Sequence, residues 1–597
     1  MRKIPAFLLS LLTLSTLHGQ AISVDSPAMT TLPVDTLLFV TFPSDSDTVS
    51  VAVMRFGALS LDTSATVIVQ RDTQRVYPSG AVTSLVDLEP GWNVIPFEIQ
   101  SVADTQRYQR QVFRIPPPET LPERPVRILK ETMWPGRNMV YYAEDRIVVR
   151  FRGSPGGRAR FKIPHLTNGW LSMVELPPAE VGGLKGVYEG VYRLQPGDGC
   201  HQERVVFRLK GKRGGVKKRR SRGRITVDLT GQPQLLETRN GSNVVFYRPW
   251  GEIFMDLPKG VVMKAVADLG NWWKVALSEQ RTGFVLKYAA RALPRGRAWP
   301  MAQLNGIEWD LDSTWLTMSF GLTAQVPFQI VQRTAPEMLS IYFHRAQFHD
   351  EWTRYPDSTE LIDHMLWEQL ADDVLRFDIR LNTTQQWGYR GWYENGLFKL
   401  AIRLPPEIER ERPFANLIIA LDPGHGGKEK GAVGPTGLME KDVNLIYANY
   451  LAELLTAAGA EVHLTRTEDS TMTLKARVDS ARAVEAHILV WMHNNSVGWT
   501  RQPEEIGGTS TFYTQIQGLP FARAVYPRLV DLGLTPVGTV HRSYYILRQP
   551  DPVIFLVEGA FLSHPGDEMF LMDDAQLRRL AEAVFQGMED YLKMLGK

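Results

Sequence analysis

Four residues in the last third of the chain carry the side chains that metal-assisted hydrolysis needs: His425, Glu440, His493 and Glu558. Two neutral imidazoles and a carboxylate suit a catalytic zinc, which keeps three protein ligands and leaves a fourth place for water. A further carboxylate, outside the ligand set, can take the water's proton and return it to a leaving amine. Glu558 fits that role. Taken singly, the four are weak signals. A lone histidine after a strand is more often a structural hydrogen-bonder, Glu440 alone is a helix-cap carboxylate, and Glu558 alone is an edge acid. Only their joint placement points to a metal, and spacing does not name the substrate.

The elements that must position them read as alternating strands and helices, the signature of a mostly parallel sheet. Leu417 to Leu421 is a short apolar run bounded by turn formers, a buried strand that breaks into Asp422-Pro-Gly-His-Gly-Gly427. Asp442 to Ala458 has helical spacing, with Leu445, Leu451, Leu454 and Leu455 on one face, and Glu440 stands just before it. Glu461 to Thr465 and His487 to Met492 are further strands, the second followed directly by His493. Pro552 to Val557 is a fourth, ending at Glu558. His425, His493 and Glu558 thus each follow a strand while Glu440 opens a helix. In a parallel sheet those positions share one edge.

With these residues in view, the segment 415–597 resembles the zinc-dependent N-acetylmuramoyl-L-alanine amidases of the amidase 3 type. The opening motif is Leu421-Asp-Pro-Gly-His-Gly-Gly427 with Gly431-Ala-Val-Gly434. Glu440-Lys-Asp-Val-Asn-Leu445, Thr465-Arg466, Leu474, Arg477, Trp491-Met-His-Asn-Asn495 and Val557-Glu-Gly-Ala-Phe-Leu-Ser563 follow in order. The resemblance implies one Zn2+ on His425, Glu440 and His493, Glu558 as catalytic acid/base, and cleavage between N-acetylmuramic acid and L-alanine of the stem peptide. It offers Asn495 and Arg548 as substrate contacts. Trp491-Met492 stands where the family has Ser-Ile, Asn494 replaces a small residue, and His564 stands where asparagine is common. Some members carry an inhibitory helix inside this domain. Here only a short loop, Val497 to Gly508, separates His493 from the next strand, and Leu519 to Val530 is needed for a family helix, so no built-in plug is expected.

At 597 residues the chain is too long for one core. Net charge decides nothing, with 67 basic against 65 acidic residues, and the lone cysteine, Cys200, excludes an intrachain disulfide or a Cys-based zinc site. Arg2 and Lys3 before the apolar run Ile4 to Leu17 read as a secretory signal peptide, too short to span a bilayer. Export to the periplasm or cell envelope follows, without a lipid anchor. Residues 21–117 alternate like a β-sandwich, with Glu89 to Phe97 looking like an immunoglobulin-like turn and strand. A second β domain, 118–230, carries the most basic run, Lys210 to Arg224, expected as a long hairpin loop. That loop reads either as solvated or as an electrostatic contact with an anionic polymer or membrane surface, nucleic acid being disfavoured for an exported protein. Residues 231–294 resemble the bacterial SH3-like module, with Trp272 and Trp273 either stacking on a ligand or core. Residues 295–403 are similar to the AMIN targeting domain, and 404–414 form a proline-bounded linker.

The expected fold is therefore multidomain: Ig-like, SH3-like and AMIN-like β modules ahead of an α/β zinc hydrolase. Peptidoglycan is the implied substrate, with an envelope activator or division protein as a further partner through the β modules. The alternatives are a non-catalytic wall-binding protein, which the intact quartet opposes, and a zinc peptidase that cuts within the stem peptide.

Overall fold

The computed structural model describes residues 37–142, 145–228, 230–239, 243–348 and 360–596. The expected signal peptide, residues 1–20, lies outside them. Residues 37–114 form a sandwich whose two sheets contain Leu38–Phe42, Val53–Ser60 and Ala81–Asp87 on one side and five strands, including Gly91–Gln100 and Thr105–Arg114, on the other. Alternation along each strand sends Phe56, Val67, Ile95 and Ile99 inward, where Phe56 and Phe97 meet at 5.4 Å. The next two expected domains share a sheet. Met139–Tyr141 pairs parallel with Ile225–Val227 and antiparallel with Val262–Asp268, so no sheet boundary falls at 230. Trp272 and Trp273 are both buried: the first lies edge-on to Phe246, the second in the core. Neither offers an open stacking face.

Residues 302–403 form two further sheets around Phe320, Phe343, Phe377 and Phe398. The expected linker is partly built in, because Phe414 is fully buried and stacks on Phe585 at 4.9 Å. Among the described residues no helix is long and apolar enough to cross a membrane.

The last third contains β1 (Ile418–Pro423), α1 (Glu440–Ala457), β2 (Glu461–Leu464), α2 (Leu474–Ala483) and β3 (Ile488–Asn495). After these come β4 (Thr509–Tyr513), α3 (Leu519–Val530), β5 (Pro536–His541), β6 (Val553–Phe561), α4 (Pro565–Met572) and α5 (Asp574–Leu595). The sheet runs β2-β1-β3-β6-β4-β5, and every pairing is parallel except β4 with β6. Its central strands are mostly apolar, as both faces are covered, and turn polar at Asp422, His493 and Glu558 toward their carboxyl ends. The buried stripe of α1 runs through Val443, Tyr447, Ala448, Leu451 and Leu455; the expected Leu445 and Leu454 only flank it. Since β1 leads to β2 on one side and the chain returns to β3 on the other, the order reverses between β1 and β3. That reversal opens a crevice at the carboxyl ends of the strands.

The module at 302–403 docks on the opposite end of this sheet. Arg403, buried, donates to Glu485 Oε2 at 2.9 Å and Asp551 Oδ1 at 3.1 Å, and Arg390 reaches the same two acids. Those acids sit just before β3 and β6, so the carboxyl-end crevice stays clear of this contact.

Candidate metal centre at the sheet edge

His425 lies on the loop leaving β1 with φ +61°, a left-handed conformation that costs a non-glycine residue about 1–2 kcal/mol. Two arginines hold it there. Arg477, from α2 and only 2% exposed, donates to Asp422 Oδ1 at 2.7 Å, Pro423 O at 2.9 Å and His425 O at 2.6 Å. Arg466 donates to Pro423 O, Gly424 O and Lys441 O, tying the loop to the start of α1. The glycine at 424 is required by close approach, since an added Cβ would lie 2.1 Å from His493 Nε2.

Glu440 is the first residue of α1 and is buried between the two imidazoles. Its Oε1 lies 2.7 Å from His493 Nδ1 and its Oε2 lies 3.1 Å from His425 Nε2. Backbone N–H groups of Ala432 and Asn494 donate to the same carboxylate at 2.7 and 3.2 Å. Burial pushes the Glu440 carboxyl up, but hydrogen bonds and charge from the two histidines outweigh it and hold it well below the ordinary range. Burial lowers His493. One ligand-capable atom each from His425, Glu440 and His493 lies within 4.8 Å of the others, close enough to share a metal ion. The donor set fits zinc: nitrogen, nitrogen and carboxylate oxygen, with a carboxylate already held anionic. His493 Nε2 is buried with no partner.

Glu558 is placed within β6, not after it. It is the register partner of His493 across the β3–β6 pair, so the two side chains stand beside one another about 5 Å apart at the strand. Its Oε2 is buried and unpartnered. Burial, then the Glu440 charge, pushes its carboxyl well up. The structure therefore gathers all four predicted residues.

It does not gather the two substrate candidates equally. Asn495 ends β3 beside the cluster, its Oδ1 accepting from Ser496 N at 2.8 Å. Arg548 instead donates to Ser543 O at 3.0 Å, lies over Tyr545 and is drawn electrostatically to Asp256 in the strand Ile253–Leu257. Among the described residues its side chain touches Ser543 and Tyr545, away from the cluster.

Sequence reasoning missed Tyr447 and the function of Asn444 and Asn494. The buried Tyr447 hydroxyl faces the His493 backbone and feels the charges of Glu558 and Glu440. Asn494 accepts from Ala560 N and donates to Asn444, which donates to Gly424 O, so an amide chain links β6, β3, α1 and the His425 loop. The residue at 494 that departs from the family's small one is this link. Trp491 stands edge-on to His493 at 4.8 Å and to Tyr544 at 6.0 Å. His564 caps α4 by accepting from Asp567 N at 3.1 Å, the service an asparagine would give. Between His493 and β4, among the described residues, the one helical element is the short 3-10 turn Pro503–Glu505.

The model of the N-acetylmuramoyl-L-alanine amidase family, amidase 3 type, matches residues 419–590. That span holds the whole cluster. The C-terminal third is an N-acetylmuramoyl-L-alanine amidase domain. The amidase segment is similar to the uncharacterised protein YqiI of Bacillus subtilis, 28% identical over 34% of this chain and 97% of that protein. It is also similar to the amidase AmiC of Neisseria meningitidis, 30% identical over 32% of this chain and 57% of that protein. Among solved structures, the amidase AmiC2 of Nostoc punctiforme is 32% identical, covering 30% of this chain and 97% of that one, with a TM-score of 0.28. The match leaves residues 37–403 outside the amidase domain.

One of those outer modules reaches the site. The backbone N–H of Arg55 donates to Trp499 O at 2.8 Å, and its guanidinium lies over the rings of Phe42 and Trp499 at 4.6 and 5.1 Å. Thr41 donates to Pro435 O at 2.6 Å. The first sandwich thus grips the loop that follows β3 and the turn before α1. His425 keeps 30% of its side-chain surface exposed, so this grip flanks the crevice without closing it.

Proposed function

We propose that the protein is an exported, zinc-dependent amidase that hydrolyses the amide joining the lactyl group of N-acetylmuramic acid to L-alanine of peptidoglycan stem peptides. The observation that carries the reading is the single carboxylate of Glu440 bridging two imidazoles, with Glu558 in register beside one of them. His425, Glu440 and His493 would hold the metal. When bound, zinc polarises the carbonyl, lowers the pKa of water to about 7 and offsets the Glu440 charge beside Glu558.

The remaining work falls to the chain. Arg477 and Arg466 fix the loop that aims His425, and the Asn444–Asn494 link fixes the strand ends against each other. Glu558 takes the proton of the attacking water as its oxygen adds to the lactyl carbonyl carbon. It then delivers that proton to the L-alanine nitrogen as the carbon–nitrogen bond breaks, leaving a lactyl carboxylate and a free amine. Asn495, at the end of β3, is the candidate contact for substrate; Arg548 is set aside because its partners lie elsewhere. The β modules would hold wall polymer or an envelope partner.

Metal analysis tests the proposal. The purified protein carries about one zinc per chain, chelation abolishes release of stem peptides, and zinc restores it. His425→Ala and His493→Ala proteins that bind zinc and hydrolyse wall normally would overturn it.

A further inference from the structure

The basic run 210–224 folds as a strand, not as the long loop expected. Val216–Arg220 pairs antiparallel with Val206–Lys210 around the short turn at 211–215, and Val206–Lys210 pairs with Arg158–Lys162. The register stacks cations across the sheet. Arg160, Arg208 and Lys218 are successive partners in the middle row; Arg158 and Lys210 are partners in the row beside it; in the third, Lys162 and Arg220 flank Val206. Because strand side chains alternate, all seven stand on one face, while Ala159, Phe161, Phe207 and Leu209 point into the core behind them.

That face is open. Arg158, Arg160, Lys210, Lys218 and Arg220 are exposed and Lys162 and Arg208 half-buried. None of the seven makes a salt bridge among the described residues, although elsewhere in the chain arginines are commonly paired. Like charges in register on neighbouring strands, about 5 Å apart, repel by several tenths of a kcal/mol per pair. Folding alone gives no return for that arrangement. Salt screens it but does not remove it.

We infer that this sheet face is a second binding surface, for the carboxylate-bearing peptidoglycan network itself. The choice of partner rests on the proposed function: a chain that acts on stem peptides works amid their free carboxylates, which are displayed repeatedly along each glycan strand. The middle row of cations, about 5 Å apart across three strands, with further cations on either side, matches a repeating anionic chain lying across it, and an arginine fork donates two parallel hydrogen bonds to a carboxylate. Among the described residues Val216, at one corner, is the large exposed apolar side chain of the face; Val206 is half-buried and Trp170, half-buried, lies against Lys162 at 5.5 Å, so no continuous exposed apolar wedge is present to seat it in a bilayer. The face retains the enzyme on the wall while the crevice, on another module, does the cutting.

The test separates this surface from the catalytic reading. The full exported chain carrying Glu558→Gln is sedimented with insoluble peptidoglycan, with and without Arg160→Gln, Arg208→Gln and Lys218→Gln added. The surface predicts about tenfold weaker pelleting for the triple substitution, and loss of the difference at high salt. A companion double change, Arg160→Lys and Arg208→Lys with Lys218 kept, retains binding. Hydrolysis of a small soluble muramyl peptide by the otherwise unaltered enzyme stays the same with and without the three substitutions. Equal pelleting of both proteins overturns the inference, as does tighter binding to anionic phospholipid vesicles than to peptidoglycan. Failure to cleave the soluble substrate by either protein counts against the catalytic reading and leaves the pelleting result to judge the surface.

Discussion

Replacing Arg477 with methionine removes the strut under the metal loop while keeping most of its apolar bulk. The guanidinium makes three hydrogen bonds of 2.6 to 2.9 Å, one of them to a fully buried carboxylate. Asp422 would keep the Thr465 hydroxyl as its only hydrogen-bond donor on Oδ1, and its Oδ2 already has no partner. Stranding such a charge costs about 3–5 kcal/mol. The left-handed His425 is the segment's strained point, so relaxation there is the expected outlet. Hydrogen exchange followed by mass spectrometry reads the opening free energy of β1 and β3 within the intact chain, avoiding a two-state assumption for a multidomain protein. The expected result is a loss of about 3–5 kcal/mol over residues 418–426, with zinc affinity down about 10–100-fold. Adding Asp422→Asn removes the stranded charge and restores part of the protection. Protection unchanged to within about 1 kcal/mol in Arg477→Met, with normal zinc affinity, would refute the view that this pair positions the metal loop.

Two further outcomes concern the contact between the first sandwich and the amidase domain. Trp499→Ala deletes the edge contact with Phe42 and the stacking of Arg55, together worth about 1–3 kcal/mol, so hydrogen exchange should rise in 53–60 and 496–505; unchanged exchange would mean the modules do not hold one another. Glu568 lies under the same contact, and burial pushes its carboxyl up to about 7 despite hydrogen bonds from Thr436 and the Arg55 charge. Between the ordinary carboxylate pKa and 7 the folded protein binds the extra proton, so stability falls as pH rises through that window. From pH 5 to 8 the native protein should lose up to about 3 kcal/mol relative to Glu568→Gln, read by exchange in α4; parallel pH profiles would contradict this.

The catalytic edge was legible because its signals are local. A short apolar run ending in a glycine-rich turn can only be a strand delivering a loop, and Leu417 to Gly427 folds that way. The joint placement of His425, Glu440 and His493 was read from two strands and the start of one helix meeting at a sheet edge, although His493 lies inside β3 and does not follow it. Glu558 was placed one step late, since an acid inside an apolar strand looks like its terminus until the pairing with His493 is seen. The basic strand escaped notice for a related reason: Val216–Arg220 is an edge strand with cations on both faces, so no apolar alternation marks it. The grip of Arg55 on Trp499 joins residues 444 positions apart, and no periodicity announces such a contact. Ig-like, SH3-like and AMIN-like remain proposals for the β modules, whose sheets are plain but whose family signals are faint.

The central claim is that the crevice between β1, β3 and β6 cuts the lactyl–alanine amide with Glu558 moving the proton. Mass spectrometry of purified peptidoglycan after digestion by the protein tests it most directly, with Glu558→Gln alongside. The account predicts free stem peptides beginning with L-alanine, glycan strands left whole, and release by the variant lower by about 10²–10⁴-fold with zinc still bound. Fragments cut within the stem peptide, or full release by the variant, would contradict it.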